Sequence, residues 1–371
     1  MLNQKIKCLD YNVFDEVLIY YTSDRILTGF CFVDGDTNDI KIQIVFEVDN
    51  IQFESKYILV DPKDFINIEI GDILLFRTNG TLKNIFRINS LDNVLFITEQ
   101  CNNNCLMCSQ PPKNINDLDY YYNLNSKLIE ILPYSVLKIG ITGGEPTILN
   151  DRLIVLINQI ATKFPEIEIQ LLSNGRQFSD IHYVHKLSEI GKKNLFIGIP
   201  LHSDFYVDHD YISQSNNAFN QTLKGLYNLA RYSFSIELRV IVNKINYKRL
   251  EKISDYIFKN LPFINHVAFM GMEYIGLVPK YNKIIWIDPI EYKEDLKKSV
   301  LNLSSWGINV SVFNIPLCLL DENLIIYSVK SISDWKVKYF LQCEDCILKV
   351  DCGGSFGTSL KHSPNIKPIF N

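Results

Sequence analysis

The sequence predicts an α/β protein in three parts, and three patterns carry that prediction. Up to about residue 90, short apolar stretches alternate with turn signals and show no helical period. From Asp92 a strand-then-helix rhythm repeats six times over about 180 residues, which argues for parallel strands joined by right-handed crossovers. Past Gly271 the rhythm stops, and four of the nine cysteines gather in the tail. The expected domains are 1–90, small and β-rich; 91–275, the alternating core; and 276–371, a cysteine-rich C-terminal domain.

In the first part the strands are Val17–Tyr21, Lys41–Phe46 and Ile73–Arg77, separated by Asp34-Gly35-Asp36, Asp61-Pro62, Gly71-Asp72 and Asn79-Gly80. Asn79-Gly80 between two apolar runs predicts a hairpin. The whole reads as a small antiparallel barrel or sandwich.

In the core, strand Asn93–Thr98 leads into a cysteine loop. Helix Asn123–Leu132 ends at Pro133, and strand Val136–Ile141 follows. Asn150 is placed to cap the next helix, whose apolar Leu153, Leu156, Ile157 and Ile160 share one face. Strand Ile167–Leu172 precedes a helix closed by Gly191. Then come strand Leu195–Ile199, helix Ala218–Arg231, strand Ser235–Val242, helix Tyr247–Lys259 and strand His266–Met270. Pro289–Trp306 reads as one amphipathic helix and Ile308–Phe313 as one strand.

Three motifs follow successive strands, at the edge where parallel α/β folds place their sites. The first is Cys101-x3-Cys105-x2-Cys108. Three thiolates on one loop suit an iron–sulfur cluster with one iron left without a protein ligand, although a zinc site or incidental thiols are open on these residues alone. The second is Gly143-Gly144-Glu145-Pro146, whose glycines let backbone approach a ligand and whose Glu145 offers an acceptor. The bland reading is a turn. The third is Ser173-Asn174-Gly175, a short polar group suited to a ribose hydroxyl or simply an Asn-Gly turn. In the tail, Cys318, Cys343, Cys346 and Cys352 supply four thiolates, enough for a closed cluster or a structural zinc. Cys8 and Cys31 sit at no ligand spacing and read as plain buried thiols.

Composition excludes several classes. A net charge of -5 gives no basic surplus for nucleic acid. No apolar run approaches the ~20 residues of a membrane span. Met1–Cys8 has no apolar h-region, so no signal peptide is expected. Nine cysteines in such a chain point to a reducing, cytoplasmic setting and to metal rather than disulfides.

Taken together and in this order, the three strand-end motifs resemble the radical S-adenosylmethionine (SAM) superfamily. The resemblance implies a partial (β/α)6 radical SAM barrel and a [4Fe-4S] cluster on Cys101, Cys105 and Cys108. It implies SAM bound through Gly143, Gly144, Glu145 and Pro146 at its amino group and through Ser173 and Asn174 near its ribose. Arg239 is then a candidate for the SAM carboxylate, against an ordinary salt bridge. Where many relatives carry a serine at the fourth strand end this chain has Pro200, so a polar contact there falls to His202 or Ser203. Met272 and Glu273 are weaker candidates for the adenine pocket. His209-Asp210 resembles a segment of peptide-modifying relatives. The tail looks like a twitch-like auxiliary domain with a second [4Fe-4S] cluster on Cys318, Cys343, Cys346 and Cys352.

A narrower resemblance rests on Ser109-Gln110-Pro111-Pro112-Lys113, Trp286-Ile287-Asp288-Pro289, Ser331–Lys336 and Cys352-Gly353-Gly354. These look like the His-Xaa-Ser system radical SAM maturase family HxsC over about residues 90–371. That implies a precursor-peptide substrate with His-Xaa-Ser repeats, a paired second radical SAM maturase, and a low-potential electron donor such as flavodoxin or ferredoxin. The expected reaction is an oxidative crosslink. The other readings are radical chemistry on a free small molecule and a non-catalytic iron–sulfur sensor or partner subunit.

Overall fold

The computed structural model describes residues 5–11, 13, 15–24, 27–32, 40–46, 56–190 and 194–370. The expected turn at Asp34–Asp36 and the helix end at Gly191 lie outside the described residues. The chain forms two compact units, Met1–Thr98 with Asn116–Gln170, and Glu99–Ile115 with Leu171–Asn371.

In the first unit, eight strands form one sheet: β1 (Lys5–Lys7), β2 (Asp10–Tyr11), β3 (Val17–Tyr20), β4 (Leu27–Cys31), β5 (Ile40–Val45), β6 (Lys56–Leu59), β7 (Ile73–Arg77) and β8 (Thr81–Phe86), in the order β1-β8-β7-β3-β4-β5-β6-β2. The expected antiparallel pairing needs one correction, because β5 and β6 run parallel. The Asn79-Gly80 hairpin forms as expected, with Arg77 opposite Thr81 and Gly80 at φ 72°. Alternate residues Val17, Ile19, Leu74, Phe76 and Leu82 bury together, as the two-residue period of strands requires.

The same unit holds β9 (Val94–Phe96), α1 (Leu118–Ile131), β10 (Lys138–Thr142) and α2 (Asp151–Lys163), with β9 and β10 parallel. Helix α1 starts five residues before the expected Asn123. On α2 the four apolar positions are buried as read, but Asn150 makes no side-chain cap; its amide turns back to the Ile148 carbonyl at 3.0 Å.

The chain enters the second unit within β11 (Glu168–Leu172). There follow α3 (Ile181–Ser188), β12 (Leu195–Pro200), α4 (Tyr206–Ser213), α5 (Ala218–Arg231), β13 (Ser235–Ile241), α6 (Leu250–Asn260) and β14 (His266–Met270). Then come α7 (Val278–Ile285), α8 (Lys293–Ser305), β15 (Val310–Phe313) and β16 (Ser328–Val329). Strands β12 to β16 lie side by side in chain order, all parallel. The expected halt after Gly271 is therefore corrected: β15 and β16 extend the parallel sheet past the sixth strand. The edge of β14 takes a partner, and the Gly271 N–H donates to the Phe313 carbonyl at 2.9 Å. The tail adds one short antiparallel pair, β17 (Val337–Lys338) and β18 (Ser355–Phe356). Among the described residues no helix is long and apolar enough to cross a membrane.

Candidate functional site

The cysteine loop is held from behind at several points within its unit. The N–H groups of Asn104 and Leu106 donate to the carbonyls of Ser213 and Ile212 at 3.0 and 2.9 Å, which pins the loop to the end of α4. Leu106 and Met107 pack with Ile212, Val278 and Ile285 under the loop. On another side Arg176 donates to the Asn102 carbonyl and to Asn103 Oδ1, both at 2.6 Å, and to Ser215 Oγ at 2.8 Å. Its Nε reaches Gln221 Oε1 at 2.6 Å. The third cysteine is backed by Gly276-Leu277, where the Leu277 N–H donates to the Cys108 carbonyl at 2.9 Å. A Cβ on Gly276, at φ 64°, would stand 2.2 Å from that carbonyl oxygen.

The three thiols differ in surroundings. Cys105 is the deepest, and burial together with Cys108 and Cys101 pushes its pKa far up. Cys108 is raised by burial and donates to the Gln110 carbonyl at 2.9 Å. Cys101 Sγ accepts the Asn103 N–H at 3.4 Å. Among the described residues no three His, Cys, Asp or Glu side chains form a group that would hold a single metal ion. A cubane differs from a single ion in that each thiolate binds a different iron, so its ligands stand farther apart. One braced loop with a buried central thiol close to two others suits that requirement. Binding would take these groups as thiolates and release their protons.

In the first unit, Gly143-Gly144-Glu145-Pro146 follows β10. The Gly144 N–H donates to the Thr98 carbonyl at 2.7 Å. A Cβ on Gly143 would lie 2.8 Å from the same oxygen, so the close approach of the two strand exits requires glycine. Glu145 is buried, and its Oε1 accepts the N–H and hydroxyl of Thr147 at 3.0 and 2.6 Å, capping the 3-10 turn Pro146–Leu149. One of its oxygens thus serves the fold.

The third motif is both a turn and a brace. Ser173 Oγ accepts the Gly175 N–H at 3.1 Å, and Gly175 has φ 82°. Asn174 Nδ2 donates to Asn102 Oδ1 at 2.6 Å, tying this strand end to the cysteine loop. Helix α5 comes close behind it, since a Cβ on Gly225 would stand 2.3 Å from the Gly175 carbonyl.

The remaining candidates divide. His202 and His209 are buried against each other, the His202 N–H donating to His209 Nδ1 at 3.2 Å. Burial and the Arg176 charge push His209 down to about 4, and burial, with His209 beside it, holds His202 well below the ordinary imidazole value. Asp210 accepts the N–H groups of Asn217 and Phe219 at 2.6 and 2.8 Å at the start of α5, so His209-Asp210 has a structural role here. Ser203 Oγ accepts the Phe205 N–H at 3.2 Å. Arg239 Nε lies 3.1 Å from Glu237 Oε1 on β13. Glu273 pairs with Lys336 at 3.4 Å and accepts from Thr358, while Met272 packs against the apolar cluster under the cysteine loop.

Cys318, Cys343, Cys346 and Cys352 line one small pocket, although 34 positions separate the first from the last. Backbone N–H groups face the sulfurs: Leu317 and Gly354 to Cys352 Sγ at 3.5 and 3.3 Å, and Ile369 to Cys346 Sγ at 3.4 Å. Burial raises Cys318, with Cys352 and Cys343 adding to the effect. Cys8 is buried in the first unit's core, its thiol raised to about 11 by burial, and Cys31 packs against the same core.

Sequence reasoning missed α4, the Arg176 clamp and the Gly276 backing. Arg176 stood in view directly after Ser173-Asn174-Gly175, but its partners lie 73 and 74 positions away. Gly276 gave no local signal beyond being glycine.

Residues 95–257 match the family model of the Radical SAM superfamily. An uncharacterized protein of Methanocaldococcus jannaschii is 27% identical over 204 residues, 52% of this chain and 69% of that one. The 7,8-dihydro-6-hydroxymethylpterin dimethyltransferase of the same organism is 25% identical over 192 residues, 49% of this chain and 36% of its own length. Among solved structures, Streptococcus suis SuiB bound to S-adenosylmethionine aligns with a TM-score of 0.48 at 14% identity, covering 60% of this chain and 50% of that one. The chain thus spans about a third of the curated methyltransferase and half of the solved structure.

Proposed function

We infer that this chain, which carries a Radical SAM superfamily domain over residues 95–257, is a radical SAM peptide maturase that oxidatively crosslinks a ribosomally made His-Xaa-Ser peptide. The observation that carries the radical chemistry is the braced loop. Cys101, Cys105 and Cys108 sit on one segment fixed by Arg176, Asn174 and Leu277. When bound there, a reduced [4Fe-4S] cluster supplies the electron that splits SAM into methionine and a 5′-deoxyadenosyl radical. The chain's own residues hold and shield. Leu106 and Met107 close the loop's inner side to water. The resemblance assigns Gly143–Pro146 to the methionine amino group and Ser173 and Asn174 to the ribose. Arg239 keeps N–H groups beyond its pairing with Glu237 for a carboxylate.

The convergence of four tail cysteines on one cavity supports a second [4Fe-4S] cluster. Such a centre takes up the electron that closure of a substrate radical releases. The substrate assignment, with the paired maturase and the flavodoxin or ferredoxin donor, rests on the Ser109–Lys113, Trp286–Pro289 and Ser331–Lys336 stretches.

A second reading is supported by the curated relatives, which include a pterin dimethyltransferase and, at 24% identity over 186 residues, an Fe-coproporphyrin III synthase of Methanosarcina barkeri. Those names point to free small molecules. Anaerobic co-expression with a His-Xaa-Ser repeat peptide separates the two. Loss of two hydrogens from the peptide supports the maturase, and an unchanged mass with active enzyme supports the small-molecule reading.

A further inference from the structure

Strand β13 has two faces. Ile236, Leu238 and Val240 are fully buried on one. Glu237, Arg239 and Ile241 share the other, which is partly open, and Ile241 packs against the apolar cluster of Leu106 and Met107 beneath the cysteine loop. This second face therefore leads to the radical-generating end. Two side-chain layers below Ile241, about 13 Å at the rise of a strand, lies a row of polar groups drawn from three neighbouring strands. Glu237 Oε2 is 2.8 Å from His266 Nδ1, and His266 Nε2 is 2.9 Å from Ser311 Oγ. Arg239 Nε stands 3.1 Å from the other oxygen of Glu237. The row is open enough to meet a substrate, with the His266 side chain 25% exposed. Apolar walls flank it: Phe313 has its ring centroid 6.0 Å from that of His266, and Phe196 on β12 is 41% exposed. Gly198 keeps the face clear, because a Cβ there would meet Leu172 Cδ2 at 2.8 Å and Arg239 Cδ at 3.2 Å.

We propose that Ser311, His266 and Glu237 form a proton relay for the substrate of the radical reaction, with Ser311 the group that meets it. The direction follows from the chemistry of each member. A carboxylate is an acceptor only, so with Glu237 as carboxylate Nδ1 of His266 carries the proton. Nε2 is then the acceptor, and the Ser311 hydroxyl donates to it. This orients Ser311 to take a proton from a substrate X–H group, X being oxygen or nitrogen, as it passes its own to His266. The proposal rests on the crosslinking reading above. There, a substrate carbon radical and an X–H group become a C–X bond, one proton and one electron. The electron goes to an iron–sulfur acceptor of the kind assigned to the tail cysteines, and the proton goes to this relay.

The test has two readouts. In isotope-labelled full-length chain, the imidazole nitrogen shifts report the tautomer of His266; the relay requires Nδ1–H, and Nε2–H overturns it. In reconstituted enzyme given SAM, reductant and a His-Xaa-Ser peptide, His266→Gln and Ser311→Ala should lower crosslinked product about 100-fold. Release of 5′-deoxyadenosine should stay within about twofold, and Ser311→Thr, which keeps the hydroxyl, should restore product. Full product from Ser311→Ala, or no restoration by Ser311→Thr, overturns the relay. A wild-type enzyme that releases no 5′-deoxyadenosine defeats the radical reading first, and the relay with it.

Discussion

The Arg176 guanidinium donates to the Asn102 carbonyl at 2.6 Å, one residue past the first cysteine of the loop. The contact joins the end of the third strand to the segment that carries all three thiols. Arg176 adds three further hydrogen bonds at 2.6 to 2.8 Å. A forked, planar cation can satisfy that many acceptors at once, and an ammonium cannot.

Replacing Arg176 by Lys should therefore loosen the loop while leaving the fold. Hydrogen bonds to a charged group contribute about 1.5–3 kcal/mol each. Loss of even one lowers the ordered-loop population roughly tenfold or more. Iron content after anaerobic reconstitution should fall, with little change in the thermal midpoint. Full iron loading of Arg176→Lys would show that the clamp is dispensable.

Gly276→Ala tests the other side of the loop. The added Cβ meets the Cys108 carbonyl at 2.2 Å, in a backbone conformation that disfavours any side chain. A cost of about 1–3 kcal/mol is expected, paid either as strain or by displacing Cys108. A lower urea midpoint together with weaker cluster binding is the expected result; an unchanged variant would mean that residues 276–277 yield freely.

The two cysteine sets should separate functionally. Cys105→Ala removes one of the three loop thiolates and should abolish SAM cleavage. Cys346→Ala should spare 5′-deoxyadenosine release without substrate but lose crosslinked product. Chromatography of deoxyadenosine and mass measurement of the peptide read both. Full product from Cys346→Ala would remove the role assigned to a second cluster.

Acid should destabilise the second unit through its buried histidines. His209 is held at about 4 by burial and the Arg176 charge, against about 6.5 for a free imidazole. Between those values the unfolded chain binds the extra proton, so stability rises with pH across that window. The contribution is whole above about 6.5 and is lost as pH falls toward 4, in total roughly 3 kcal/mol for this residue. His202, depressed in the same direction, adds to the slope. Urea midpoints at pH 7 and pH 5 should differ more for wild type than for His209→Gln. An equal difference would place the acid sensitivity elsewhere.

Much of this was legible in the sequence because it was local. The apolar face of α2, the span of α5 and the limits of β14 follow from period and turn residues over a dozen positions or fewer. What was not legible depends on distant partners. Helix α4 is short, with Phe205, Tyr206 and Tyr211 exposed around it, so it presents no clear apolar stripe. Strands β15 and β16 looked like part of an appendage because only their pairing to β14 places them in the sheet. Asn150 and Glu145 show the converse. Asn150 was expected to cap α2 and Glu145 to offer an acceptor to a ligand, but the direction of each side chain is settled by neighbours, the Ile148 carbonyl for Asn150 and Thr147 for one Glu145 oxygen.

The most direct measurement is release of 5′-deoxyadenosine from the anaerobically reconstituted, chemically reduced full chain supplied with SAM. Release that depends on Cys101, Cys105 and Cys108 is the expected result. A chain that carries a full complement of iron and sulfide on that loop and yet yields no 5′-deoxyadenosine would contradict the account.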